Sequence, residues 1–180
     1  PTENYTVSGT NCTFTSAPHA AARIFAIVGF DNTAIGDGAL TAHTTGYYNT
    51  AIGKDALQST TTGIQNTAVG ANSLPSNTTG GKNTAIGPLS MWSNTTGSNN
   101  TAIGSESLRY NTTGSSNTGL GYEVLKSNTT GTRNIAIGYA AYDAADTEND
   151  NLAIGYDALG GSIAGGEYNV AIGNYALDAT

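Results

Sequence analysis

The motif Asn-Thr-Ala-Ile-Gly recurs, with variations, from Asn32, Asn49, Asn66, Asn83, Asn100, Asn117, Asn134, Asn151 and Asn169, at a spacing of 17 residues seven times and 18 once. A short fixed period means that each unit is one turn of structure that cannot bury its apolar side alone, so the fold is a stack of like units. With the first Asn as position one, a unit reads Asn-Thr-Ala-Ile-Gly-x-x-Ala/Ser-Leu-x-x-Asn-Thr-Thr-Gly-x-x, as in residues 83–99, NTAIGPLSMWSNTTGSN. Gly, Thr and Asn are too frequent for a 17-residue helix, and no 3.6-residue apolar stripe appears.

The columns of the repeat define a coil. Position four is an unbroken aliphatic column of Ile35, Ile52, Val69, Ile86, Ile103, Leu120, Ile137, Ile154 and Ile172, the residue type that favours strands. Position nine is Leu40, Leu57, Leu74, Met91, Leu108, Leu125, Tyr142, Leu159 and Leu177. Both columns are expected inside. Position five is always Gly, and a second Gly follows ten residues later at Gly46, Gly63, Gly80, Gly97, Gly114 and Gly131. Recurrent Gly after a short strand marks a bend needing positive φ or close backbone approach, which predicts two strands per coil. Parallel stacking aligns identical side chains about 4.8 Å apart, a spacing suited to Asn and Thr ladders, so the stack is a rod of roughly 40 Å.

Composition agrees that this is no ordinary globule. Ile, Leu, Val and Phe supply only 30 of 180 residues, and the net charge is −7, a balance that usually leaves a chain unfolded. Two large apolar residues per coil make a thin core, and the isolated rod is expected to be marginal. The Ala column at position three, including Ala51, Ala68, Ala85, Ala102, Ala136 and Ala153, alternates with the Ile and faces the other way. That strip is expected to be the inter-chain contact, where small side chains let another copy approach. The cations Arg23, Lys54, Lys82, Arg109, Lys126 and Arg133 are scattered, which disfavours nucleic acid and anionic membrane as partners. The apolar run Ile24 to Phe30 is too short to span a bilayer. With no leader pattern, the chain is expected to be mature or a fragment. Cys12 is the single cysteine, so no intrachain disulfide is expected.

The pattern N-x-A-I-G-x-x-[AS], best seen in residues 83–90, NTAIGPLS, resembles the head repeats of trimeric autotransporter adhesins, and is similar to repeats of phage tail fibres and bacterial fibre proteins. The likeness covers residues 32–180. It implies a left-handed parallel β-roll with three chains side by side, on a cell or virion surface. The unit here is longer, with extra residues around Asn-Thr-Thr. Residues 1–31 lie outside the repeat and are expected to cap the first coil or to dock on a neighbouring copy.

No nucleophile, base or metal set converges in the sequence: His19 lies in the extension and His43 in a turn column shared with Thr60, Asn77 and Asn94. No cofactor is expected, and the chain is read as a non-enzyme. Asp143, Asp146, Glu148 and Asp150 replace the usual Asn-Thr-Thr-Gly turn; four carboxylates so close are a weak calcium candidate beside the reading of a solvated acidic turn. Tyr122, Tyr139 and Tyr156 hold position six of three consecutive coils, either stacking on one another or offering a surface to sugar rings. Asn77, Asn94, Asn111 and Asn128 begin Asn-x-Thr motifs in one turn column and are candidate glycosylation sites if that turn is exposed.

Two classes of function follow. The first is an extracellular structural fibre, an adhesin head or shaft, tail-fibre element or filament subunit. Its partners are other copies, as a trimer or head-to-tail filament, and beyond them a host-surface receptor or glycan. The second is a ligand-binding solenoid for ice or carbohydrate, with Thr ladders at positions thirteen and fourteen that sit beside Gly in a turn.

Overall fold

The computed structural model describes residues 5–8, 11–14, 31–144, 146–161 and 166–178. In the extension, β1 (Tyr5–Ser8) pairs antiparallel with β2 (Asn11–Phe14); the docking expected of residues 1–31 lies outside the described residues. Nine three-residue strands follow: β3 (Thr33–Ile35), β4 (Thr50–Ile52), β5 (Thr67–Val69), β6 (Thr84–Ile86), β7 (Thr101–Ile103), β8 (Thr118–Leu120), β9 (Ile135–Ile137), β10 (Leu152–Ile154) and β11 (Val170–Ile172). They form one parallel sheet in sequence order, with like pairing like: Thr50 faces Thr67, Ala51 faces Ala68 and Ile52 faces Val69. The repeat region is therefore an all-β parallel solenoid.

Each coil contributes one strand, where two were expected. The rest of the coil is a chain of turns that still bonds to its neighbours: Leu57 N–H donates to Ser73 O at 3.2 Å, Thr61 N–H to Thr78 O at 3.0 Å and Gln65 N–H back to Tyr47 O at 3.0 Å. Backbone groups are thus satisfied around the whole circumference without a second strand. The corner at position nine places a bulky residue at positive φ, as at Leu57 (φ 49°) and Leu108 (φ 52°). Left-handed backbone at a non-glycine residue costs about 1–2 kcal/mol. Complete burial of the Leu side chain returns roughly 1.5–3 kcal/mol, so the corner holds.

The two glycine columns serve different ends. Gly104 has φ 134°, and a Cβ there would stand 2.1 Å from the carbonyl oxygen of Gly121 in the next coil. Gly97 needs no positive φ, yet a Cβ would meet Gly114 O at 2.3 Å. The first column makes a turn as well as a close approach; the second is only close approach.

The expected inside face is inverted. Ala34, Ala51, Ala68, Ala85, Ala102, Ala136, Ala153 and Ala171 are the buried residues of their strands, whereas Ile35, Ile52, Ile86, Leu120 and Ile172 are exposed and Val69, Ile103, Ile137 and Ile154 only half-buried. The reason is volume. The coil interior already holds the position-nine column, fully buried from Leu40 to Leu159, together with position eight and two columns of Asn. One methyl per rung is what remains. In the coil starting at Asn117, position eight grows to Val124 and position three shrinks to Gly119, where a Cβ would lie 2.8 Å from Val124 Cγ1. A side chain as large as Ile has no place inside.

The Asn columns bind coil to coil. Asn117 N–H donates to Asn100 Oδ1 at 2.9 Å, and Asn100 Nδ2 donates across the coil to Gly114 O at 2.9 Å; the same pair of bonds recurs from Asn49 through Asn117. At position twelve, Asn94 Nδ2 donates to Asn77 Oδ1 at 3.0 Å and to Gly97 O at 3.1 Å. His43 fills this position in the first coil, its Nε2 at 2.5 Å from Gly46 O, so the ring spans the corner as the Asn side chains do.

Asn100→Ala would orphan Asn117 N–H in the interior and take one of its two donors from Gly114 O, which keeps Asn111 Nδ2. It is expected to lower unfolding free energy by about 2–4 kcal/mol in urea, against less than about 0.5 kcal/mol for Asn99→Ala on the surface. The inverted face gives a second expectation. Ala102→Leu should cost about 3 kcal/mol through overpacking, while Ile103→Asp, one residue away, should stay within about 1 kcal/mol of the parent when both are measured at dilutions where copies do not associate. The opposite order in thermal melts would restore the Ile-inside arrangement.

Candidate interaction surface

Because positions two and four flank the buried Ala, both point out of the sheet. Six coils present Thr and an aliphatic residue there, from Thr33 and Ile35 to Thr118 and Leu120. The hydroxyls of Thr50, Thr67, Thr84, Thr101 and Thr118 make no hydrogen bond among the described residues. They contrast with position thirteen, where Thr78 Oγ1 donates to Thr95 O and Thr95 Oγ1 to Thr112 O, each at 3.1 Å. The outer sheet face is therefore a ladder of free hydroxyls beside a ladder of exposed aliphatics.

The Ala contact expected from sequence is overturned by the same geometry. Ala51, Ala68, Ala85, Ala102, Ala136 and Ala153 are all 0% exposed and cannot touch another chain. Any side-by-side contact on this sheet falls to the Ile column.

The sequon asparagines are also corrected. Asn77, Asn94, Asn111 and Asn128 are completely buried, and each Nδ2, the atom a glycan would occupy, donates to the Gly carbonyl three residues on. The neighbouring Thr79, Thr96, Thr113 and Thr130 are the exposed residues of this turn. A polar Asn-Thr-Thr-Gly turn looks solvated in sequence, but its Asn folds inward to satisfy the corner.

Tyr122, Tyr139 and Tyr156 stack on one another. Ring centroids are 5.4 Å apart for the first pair and 5.0 Å for the second, with planes 27° and 6° apart. Both faces of Tyr139 are thereby covered, leaving ring edges and hydroxyls outward, so sugar stacking on these faces is closed off. Trp92 is exposed, with the Arg109 guanidinium 6.0 Å from its ring centre. Arg109 and Lys126 both reach Glu106, and Lys126 also pairs with Glu123, tying two coils together at the surface.

The four acidic residues are dispersed. Asp150 forms a two-pronged pair with Arg133 at 2.6 and 2.7 Å, Asp146 Oδ1 accepts from Thr129 at 2.5 Å, and Glu148 Oε2 accepts the backbone N–H groups of Asp146 and Thr147, each at 3.1 Å. Those two N–H groups correspond to the pair that, in earlier coils, caps one carbonyl of the next coil, as Thr129 and Thr130 do on Asp146 O. Among the described residues no cluster of His, Cys, Asp or Glu is placed to hold a metal. Burial, then the neighbouring Asp157 and Glu123 charges, raises the Asp143 carboxyl above its usual range.

No family of known proteins, no curated protein and no solved structure matches this chain. What the fold defines by itself is a class: a repeat protein of the parallel β-solenoid type, whose variable surface is carried on an invariant interior.

A carboxyl whose folded pKa is raised binds its proton more tightly when folded, so its ionised form costs stability at neutral pH. The cost vanishes as pH falls through the raised value toward the unfolded one. Asp143→Asn should therefore raise the melting temperature at pH near 7 and leave it unchanged at about pH 3; equal melts at both would contradict the burial of this carboxyl.

Proposed function

We propose that this chain is a structural, non-enzymatic element of an extracellular fibre, built from copies of itself packed side by side through the outer face of the sheet. The observation that carries this is the outward aliphatic column, present in every coil from Ile35 to Ile172, exposed in five and half-buried in the other four. A monomeric protein rarely leaves a contiguous apolar strip of this length in water. The strip runs the full rod, roughly 40 Å at one strand spacing per coil, so the contact is extended rather than pointlike. The resemblance to trimeric adhesin heads favours three copies over an open-ended filament. Attachment to a host-surface receptor or glycan would then belong to the outward turns of the assembly.

A second reading, ice binding, is favoured by one observation: the free Thr hydroxyls lie on parallel strands in register with the Ile column, and not only in the Gly turns. Such an array could order surface water. Assembly would cover this face, so the two readings predict opposite results. Sedimentation at micromolar concentration is expected to give a discrete oligomer with no thermal hysteresis; a folded monomer that shows thermal hysteresis would replace the fibre reading with the ice-binding one.

A further inference from the structure

The outer face is not uniform along the rod. In the first six coils position two is Thr, and position six begins with Asp37 and Lys54. From the coil starting at Asn117 onward, position six turns to Tyr122, Tyr139 and Tyr156, and one coil later position two turns to Ile135, Leu152 and Val170. Position three stays small and buried throughout, with Ala136, Ala153 and Ala171 as closed in as Ala51. The position-two switch therefore does nothing for the coil's interior, whereas the tyrosines also stack coil on coil. Ile135, Tyr139 and Tyr156 are each more than 40% exposed, a loss in water unless something outside covers them.

We propose that copies of this chain lie parallel and in register, and that the coils from Asn117 onward form the adhesive zone of the contact. This rests on the side-by-side reading of the outer face. Three considerations select a second copy as the occupant. Rungs of side chains recur at about 4.8 Å, a pitch that another stack of the same coil matches along its whole length. Leu120, Ile135, Val170 and Ile172 leave 42–65% of their surface open, apolar area of the kind a standard interface covers. Residues 117–180 carry eight acidic and two basic side chains, which repels an anionic lipid surface. Parallel alignment brings apolar zone to apolar zone; antiparallel alignment would lay it against the Thr rungs and the charges of Asp37 and Lys54. Because the acidic groups of facing copies repel, added salt should strengthen the contact.

The test compares two paired variants of the full chain by sedimentation, with circular dichroism confirming the fold. Ile137→Lys with Ile154→Lys should weaken association by about a hundredfold or more, and Ile35→Lys with Ile52→Lys by less than about tenfold. Ile135→Thr with Leu152→Thr, which restores the position-two Thr of the earlier coils, gives the same reading should the Lys pair fail to fold. In a Cys12→Ser background, Ile154→Cys should cross-link copies through itself under oxidation. Equal weakening by both pairs, or no cross-link at Ile154 in a chain that still assembles, overturns the parallel adhesive zone while leaving side-by-side assembly intact. A parent chain that is monomeric overturns both, and its capture by phosphatidylcholine vesicles would assign the zone to lipid instead.

Discussion

Stacking at one strand spacing makes the nearest neighbour of almost every side chain its own counterpart in the next coil, and the remaining features of this molecule answer to that constraint. A column survives only if its residue is compatible with itself. Asn qualifies because it carries a donor and an acceptor: the Oδ1 of Asn83 takes the backbone N–H of Asn100 while its Nδ2 spans to Gly97 O. Tyr qualifies by stacking. Gly is demanded where two backbones come so close that the carbonyl of one coil sits where the Cβ of the other would be. A charged column needs an opposite charge beside it: Glu106 and Glu123 share one column, and Lys126 of the adjacent column reaches both, while Arg133 pairs with Asp150 in the next coil.

That narrow section explains what was legible in the sequence and what was not. The period of 17, the parallel stack and the buried Leu column could be read directly, because each follows from repetition and from Gly placement. Alternation also placed Ala and Ile on opposite faces of the strand. Which of the two lies inside is decided by volume, and hydrophobicity alone chooses wrongly. The signal was present in one coil, where Gly119 and Val124 depart together from the Ala and Ala/Ser of the other units. Such compensation between positions three and eight is expected only if both project into the same small space. The sequons misled for a related reason: Asn beside Thr-Thr-Gly reads as solvent turn, yet the corner carbonyl needs a donor that no backbone group supplies.

The coil beginning at Asn134 shows how the rule is met when a column breaks. Its position twelve is Ala145 rather than Asn, so the polar ladder from Asn77 to Asn128 stops there. Position nine is Tyr142, wholly buried, whose hydroxyl accepts from Asn151 Nδ2 at 2.8 Å. A longer side chain with a polar tip thus meets the neighbouring Asn column. Burial is the leading cause that pushes this phenol's pKa up, so the hydroxyl remains available as a neutral partner. Glu148 ends the turn ladder in a similar way, its carboxylate taking two N–H groups that a carbonyl takes in earlier coils.

An interior this restrictive leaves the coil's outward columns as the place where one unit can differ from the next. Positions two and six change type along the rod while position three does not, so their pattern reports on the surroundings of the rod rather than on its folding. Thr rungs give way to Ile135, Leu152 and Val170 without a change in backbone register: Thr118 pairs with Ile135 as Thr101 pairs with Thr118. The solenoid thereby separates two tasks that most small domains must combine. Its stability rests on Asn, Gly, Ala and Leu columns that cannot be altered singly without orphaning a bond or forcing an overlap. Its contacts rest on columns that can be exchanged coil by coil, and a gradient of adhesion along the rod needs only the substitution of outward side chains on a fixed ladder.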